Sequence, residues 1–363
     1  MDGIDVAAIE TDGVTVTARG PSLSISYDAP FRQRLEAALG AAKSITERNQ
    51  RPGDLADLER EITMHHARTV QQFLRAAPQD WQRPDVIGFH GQTVLHRPAE
   101  ALTVQLGDGA LLARETGIAV VNDMRANDMR HGGQGAPLVP VYHAALARSL
   151  PQDCGHLLPV VFVNIGGISN ITFVLRDGDP IAFDTGPGNA LIDQWVMREG
   201  GVPFDDGGAI ASKGVVDRAV VARYLDNPYF LKRGAKSLDR LDFTLDAARG
   251  LSLADGARTL AAVTAEAVLK ACDHLPSQPK LWVLCGGGRK NPHIVKDMHD
   301  GAAKVGAKVI VAEAAGLDGD ATEAEAWAFL AVRSLKGLPL TFSTTTGCDH
   351  AVSGGVLNNP RAA

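Results

Sequence analysis

A mainly apolar run opens the chain: Ile4-Asp5-Val6-Ala7-Ala8-Ile9 predicts a strand, and residues 14–18 and 23–27 predict two short strands of alternating apolar and polar positions after turns. The spacing then becomes helical. Residues 31–42 and 54–75 predict two helices; in the second, Leu55, Leu58, Ile62, Thr69 and Phe73 follow a 3.6-residue stripe, with Asp54 as candidate N-cap. His65 and His66 fall inside that helix and read as ordinary face residues, not ligands.

From Asp85 onward, short apolar runs end in polar, Gly-rich loops. Val86–Phe89 leads into His90-Gly91-Gln92-Thr93, and Ile118–Val121 leads into Asn122-Asp123. Val160–Asn164 ends near Gly166-Gly167, and Leu281–Leu284 is followed by Cys285-Gly286-Gly287-Gly288. Strands that end this way belong to α/β folds, where ligands gather at the strands' carboxyl ends. A chain of 363 residues exceeds what one hydrophobic core usually serves, so two lobes are expected.

Charge and composition narrow the function. The net charge of −6 and the 5% aromatic content offer neither a basic face for a phosphate backbone nor a stacking platform, which excludes nucleic-acid binding. No apolar run reaches the ~18–20 residues of a membrane helix, and the amino end lacks a signal-peptide pattern. Cys154, Cys272, Cys285 and Cys348 are too dispersed for a metal site and read as thiols in a reducing cytoplasm.

The P-loop, zincin and nucleophile-elbow signatures are absent, which leaves loops rich in Gly, Asp, Asn, Ser and Gln. Such loops bind phosphates through backbone N–H groups and sugars through side-chain amides and carboxylates. Asn164–Asn170 (NIGGISN) puts two glycines where backbone amides can approach a polyphosphate; an ordinary Gly-Gly hairpin turn would look the same. In Phe183–Asn189 (FDTGPGN), Asp184 is expected at a rigid strand end, either as a general base or as a cap for the helix beginning near Ala190. Asn189 is the better-placed cap. The loops His90–Thr93 and Gly132–Pro140 suit hydroxyl and amide recognition, and Leu284–Pro292 offers a glycine surface for a flat base, with a helix starting at Pro292.

The order of these pieces resembles the anhydro-N-acetylmuramic acid kinases, sugar kinases of the actin-like ATPase superfamily. The likeness runs from Asp2 to about Gly355. It rests on DGID, HGQT, DMRANDMRHGGQGAPL, NIGGISN, FDTGPGN, CGGGRKNP and EAWAFLA. It implies two actin-like (ribonuclease-H-like) lobes around an ATP and sugar cleft: residues 1–128, completed by about 345–363, and residues 129–344. It also implies a cytoplasmic homodimer that uses ATP, Mg²⁺ and water to convert 1,6-anhydro-N-acetylmuramic acid into N-acetylmuramic acid 6-phosphate.

The resemblance also distributes roles. Asp184 matches the base that activates water. Asp2, Gly3 and Asp5 match the first phosphate loop, and Asn164, Gly166, Gly167, Ser169 and Asn170 the second. Gly286, Gly287, Gly288 and Asn291 match the adenosine loop. His90, Gln92, Thr93, Arg125, Asp128, Gln134 and Glu325 match the sugar side.

Two departures stand out. The family's PKSTGR reads AKSLDR at Ala235–Arg240. The family pattern also opens with a strand and Gly-Thr-Ser ahead of DGID, and the resemblance makes residues 4–9 the hairpin partner of that strand. Without it, the chain as written is expected to be poorly soluble or inactive. A non-catalytic sugar- or nucleotide-binding relative and a kinase of another sugar are the competing readings. Retention of Asp184 with both later nucleotide loops disfavours the first, and HGQT with GGQGAPL disfavours the second.

Overall fold

The computed structural model describes residues 3–151, 154, 157–234, 238 and 242–360. Asp2 and most of the 235–240 segment lie outside them. The chain forms two compact α/β units, Met1–Ser149 with Ala321–Ala363, and Leu150–Asp320.

The first unit begins with β1 (Gly3–Thr11) and β2 (Val16–Ser26), an antiparallel pair. The expected break within β2 does not occur: it is one strand of 11 residues. Gly20 and Pro21 are absorbed by a bulge, because Ala7 pairs with Ser22 whereas Ile9 pairs with Arg19. Proline is tolerated there because the bulge asks no ladder N–H of it.

Helices α1 (Ala29–Ala42) and α2 (Leu55–Ala76) follow. Asp28 caps α1 by accepting from Phe31 N, whereas Asp54, at the N-cap position of α2, makes no side-chain cap bond. What holds α2 is its stripe. Leu55, Leu58 and Ile62 are fully buried against Phe31 and Leu35 of α1 and Leu102, Val104 and Leu106. Full burial of each such side chain contributes about 1.5–3 kcal/mol.

Strand β3 (Val86–Gly88) lies parallel to β6 (Ala119–Asn122). Between them in sequence come the hairpin β4 (Gln92–Arg97) and β5 (Leu102–Leu106), then α3 (Gly109–Thr116). Gln92 and Thr93 therefore sit on a paired strand, not in the loop expected from their polarity. Short helices α4 (Ala126–Arg130) and α5 (Pro140–Arg148) end this part of the unit.

The second unit carries a five-stranded sheet. Strands β7 (Val160–Ile165), β8 (Ile168–Val174) and β9 (Ile181–Pro187) form an antiparallel meander. Helices α6 (Asn189–Gly200), α7 (Arg218–Leu225) and α8 (Leu253–Lys270) lead to β10 (Leu281–Cys285), parallel to β7. Helix α9 (Pro292–Ala303) then leads to β11 (Lys308–Val311), parallel to β10. The order β11-β10-β7-β8-β9 is the ribonuclease-H-like arrangement: three antiparallel strands, then two parallel ones reached by helical crossovers.

The core of this unit centres on α8, where Leu260, Ala261, Ala262, Val263, Ala265 and Val268 are all buried. So many alanines in one helix let it approach its neighbours closely without cost in helix propensity.

The chain returns to the first unit with α10 (Thr322–Leu335) and β12 (Val356–Asn358), which pairs antiparallel with β6. The division expected at 128/129 and 344/345 thus falls inside the first unit. Asp128 explains why the chain is not divided there. Its carboxylate is 1% exposed and accepts from Thr341 Oγ1 at 2.5 Å, Thr346 Oγ1 at 2.7 Å and Gly135 N at 2.6 Å, tying both supposed boundaries together.

Candidate active site

In the second unit, three loops distant in sequence meet at the carboxyl ends of β7 and β10. Cys285 pairs in register with Asn164, so the glycine run after β10 lies beside the turn after β7. Gly288 packs directly on Ile165: a Cβ there would lie 2.1 Å from Ile165 Cγ2. Gly188 rests on Gly166, where a Cβ would lie 2.2 Å from the carbonyl oxygen. Asn189 N donates to Gly166 O at 2.7 Å, and Asn189 Nδ2 donates to Ile165 O at 3.2 Å. Asn189 is therefore a clamp on the 164–170 hairpin and not the cap of α6, whose N-cap position is Gly188.

Asn164, Gly166, Gly167, Ser169 and Asn170 form the end of β7, the turn and the start of β8. This hairpin and the Gly286–Gly288 run lie side by side, and glycine-rich turns of this kind suit a phosphate and a flat base. Ser169 Oγ is buried with no hydrogen-bond partner among the described residues, an orphan donor of the kind a polar ligand satisfies. Asn291, which the resemblance assigns to the adenosine loop, caps α9, accepting from His293 N at 3.0 Å.

Sequence reasoning passed over Arg289, which holds the glycine run in place. Its buried guanidinium donates to Glu313 Oε1 at 2.6 and 2.8 Å, to Asp320 Oδ1 at 3.0 Å and to Gly286 O at 2.9 Å. These bonds from Arg289 lower the pKa of both carboxyls. An arginine directly after a glycine run was the available signal, but its acidic partners lie 24 and 31 residues further on.

Asp184 does not end its strand. β9 continues to Pro187, and a bulge sets Asn170 opposite Asp184 but Ser169 opposite Gly186. The Asp184 carbonyl accepts from Tyr229 Oη at 2.5 Å, and its carboxylate accepts from Leu238 N at 2.8 Å. Burial pushes its pKa up to about 6, against the opposing effect of the Leu238 amide. A carboxyl raised toward neutrality suits a general base. Asp193 on α6, not selected from sequence, is also raised to about 6 by burial.

The other expected residues belong to the first unit. Arg125 donates from Nε and one terminal nitrogen to His90 Nε2 at 3.2 and 3.0 Å, and from the other to Gly135 O at 2.8 Å. His90 stacks on Trp327 at 4.3 Å, and the Arg125 guanidinium lies 5.3 Å from the same ring. Burial, then the Arg125 charge, hold His90 well below the usual histidine range, so it is neutral. Gln134 N donates to Thr346 O at 2.9 Å.

Thr93 Oγ1 accepts from Gln105 Nε2 at 3.3 Å, and Gln92 Nε2 donates to Thr93 O at 3.2 Å. Glu325 is buried and accepts from Tyr142 Oη at 2.6 Å. Asp128 is occupied internally by its threonine and glycine partners. Trp327 was missed because an aromatic inside an apolar helix reads as core. Gly3 and Asp5 lie on β1, with Gly3 pressed against the Ile25 carbonyl and Asp5 exposed.

Among the described residues, no cluster of three His, Cys, Asp or Glu could hold a metal ion, and no helix is long and apolar enough to cross a membrane. The four cysteines are free thiols.

Comparison with known proteins gives a consistent result. The profile of the family described as anhydro-N-acetylmuramic acid kinase matches residues 1–360. A protein of that name from Brucella suis is 58% identical over 360 residues, covering 99% of this chain and 96% of the relative. One from Agrobacterium fabrum is 57% identical over 357 residues, covering 98% and 95%. Among solved structures, a ROK hexokinase from Thermus thermophilus is 12% identical with a TM-score of 0.36, covering 92% of this chain and 100% of that one, too remote to argue from.

Proposed function

The chain belongs to the anhydro-N-acetylmuramic acid kinase family, and we propose that it opens 1,6-anhydro-N-acetylmuramic acid with water while phosphorylating the freed 6-oxygen from ATP. The observation that carries this reading is the Asp184 carboxyl. It is largely buried, raised to about 6, and held by the Leu238 amide within the unit that contains the glycine loops.

In the proposed reaction, Asp184 takes a proton from a water molecule whose oxygen bonds to the anomeric carbon. The bond from that carbon to the 6-oxygen breaks, and the 6-oxygen takes the γ-phosphoryl group as ADP leaves. The 164–170 hairpin would hold phosphates through its amides, and Gly286–Gly288 would take the adenosine. His90, Arg125 and their neighbours would position the sugar. A neutral His90 whose Nε2 accepts from Arg125 keeps its other ring nitrogen as a donor toward a sugar oxygen.

Mg²⁺ fits this chain as a nucleotide-borne ion, since the described residues offer no protein cage and magnesium commonly keeps phosphate and water ligands. It would supply charge neutralisation at the phosphates. The reading carries with it a cytoplasmic homodimer that returns a cell-wall amino sugar to use.

The test is an assay with ATP, Mg²⁺ and the anhydro sugar in ¹⁸O-labelled water. The label should enter the anomeric hydroxyl and not the phosphate. Label in the released phosphate, or ATP consumption without a sugar phosphate, would refute the reading.

A further inference from the structure

A small cavity of about 150 Å³ lies in the first unit at the carboxyl ends of the parallel strands β3 and β6. Phe89 and His90 line it just after β3, and Asn122 and Asp123 line it at the end of β6. Arg48, from the segment between α1 and α2, and Gln105 of β5 line it too. Ligands of α/β units gather at such strand ends. Asp123 also holds a φ of +54°, a conformation that L side chains seldom adopt and that clusters at functional positions.

The polar atoms of this lining are partly unused. Arg48 donates from Nε to Thr103 O at 3.2 Å and from Nη2 to Asp123 Oδ1, and its Nη1 has no partner among the described residues. Asn122 Oδ1 accepts from Asn358 Nδ2 at 3.0 Å, which leaves Asn122 Nδ2 as an unused donor. His90 Nε2 accepts from Arg125, which leaves its Nδ1–H. Gln105 donates from Nε2 to Thr93 Oγ1 and Thr103 Oγ1, so its Oε1 is an unused acceptor, as is Asp123 Oδ2. Donors and acceptors therefore border the same cavity.

Charge decides what they take. Arg48 pairs with Asp123, and Arg51, also in the lining, pairs with both oxygens of Glu59 at 2.8 and 3.0 Å. Both arginines are thus neutralised. A carboxylate entering here would stand beside Asp123 with no cation to spare, a like-charge approach that disfavours it. A neutral group with both a carbonyl and an N–H matches the mixed lining. The volume equals that of about five waters, room for one substituent and too little for a whole sugar. Phe89 supplies an apolar contact.

We propose that this cavity is the subsite for the 2-acetamido group of the anhydro sugar, an inference that rests on the function proposed above. Arg48 Nη1 and Asn122 Nδ2 donate to the acetamido carbonyl, Asp123 Oδ2 accepts from its N–H, and the acetyl methyl rests on Phe89. Arg48, Asn122 and Asp123 are then specificity-determining residues, none of which was selected from sequence.

The test is calorimetric titration of the 363-residue chain with three sugars. They are 1,6-anhydro-N-acetylmuramic acid, 1,6-anhydro-N-acetylglucosamine, which lacks the lactyl ether, and an analogue of the first with a hydroxyl in place of the acetamido group. Arg48→Lys keeps a charge beside Asp123 and gives up the planar fork. It should weaken binding of both acetamido sugars roughly tenfold and leave the 2-hydroxy analogue within about twofold. Asp123→Asn is the second variant, since asparagine is tolerated at positive φ. It should show the same split, because its amide cannot accept from both Arg48 and the acetamido N–H.

A loss confined to the two sugars that bear the lactyl carboxylate would make this the lactyl subsite and overturn the proposal. Tighter binding of those two by Asp123→Asn would overturn it as well. Equal loss for all three sugars would reduce Arg48 and Asp123 to residues that position a loop, and no loss at all would leave the cavity without a ligand; either result sinks the subsite. A wild-type chain that binds none of the three refutes the parent function and the subsite together, whereas binding with the wrong pattern refutes the subsite alone.

Discussion

Arg125 and His90 form a fixed pair. The guanidinium reaches the imidazole Nε2 with two of its nitrogens, at 3.0 and 3.2 Å, and both groups lie against the Trp327 ring. Lysine cannot reproduce that fork or its contact with Gly135 O. Arg125→Lys should cost about 1–3 kcal/mol of stability by urea unfolding. It should also raise the KM for the sugar more than the KM for ATP. Equal effects on both KM values would detach the pair from sugar binding.

Asp184→Asn should lower kcat by about 10²–10⁴-fold or more while leaving ATP affinity within a few-fold. Its stability effect runs the other way. The folded-state pKa of about 6 lies above the unfolded value near 3.9, so the native site prefers the protonated carboxyl. Below about pH 4 both states are protonated and nothing is lost. As pH rises through about 6, ionisation of the buried group costs about 2–3 kcal/mol. Asn removes that cost, so the variant should melt above wild type at about pH 8 and with it at about pH 3.5. Wild-type activity should fall as pH drops through about 6.

Asp128 separates positioning from ligand contact. Replacing it with alanine strands the Thr341 and Thr346 hydroxyls and the Gly135 amide, each a buried or partly buried partner. A loss of about 3 kcal/mol or more is expected, seen as a fall in Tm of roughly 6–12 °C. A residue whose only role is to touch sugar would leave the ligand-free Tm unchanged.

Gly188→Ala should disable nucleotide binding without removing any polar group. Its Cβ would press on the Gly166 carbonyl, a backbone atom that cannot rotate away, and would crowd Ser169 Oγ at 2.9 Å. Titration with a fluorescent ATP analogue should show at least a tenfold weaker Kd. Gly40→Ala in α1, outside the site, is the control: nothing lies within 4 Å of its Cβ.

The strong periodic segments are legible in the residues themselves. The α2 stripe, the apolar runs of β3, β6, β7 and β10, and the helix start at Pro292 follow from side-chain spacing and capping chemistry, which are local. The candidate site is legible as a set of glycine-rich loops and one acidic residue because close backbone approach and charge leave marks on residue type. Other features leave no such mark. β2 runs through Gly20-Pro21 only because of the bulge in its pairing with β1, and Asp184 sits within β9 only because of its register with Asn170.

Residue types alone establish an α/β chain with phosphate- and sugar-suited loops, since burial pattern and loop chemistry depend on near neighbours. Which loops meet is left to tertiary packing. Parallel pairing of β10 on β7 brings Gly288 to Ile165, and Asp128 draws Thr341 and Thr346 across more than 200 residues. Contacts at that separation are selected by the register of strands and the burial of partners, and neither is encoded in any short stretch of sequence.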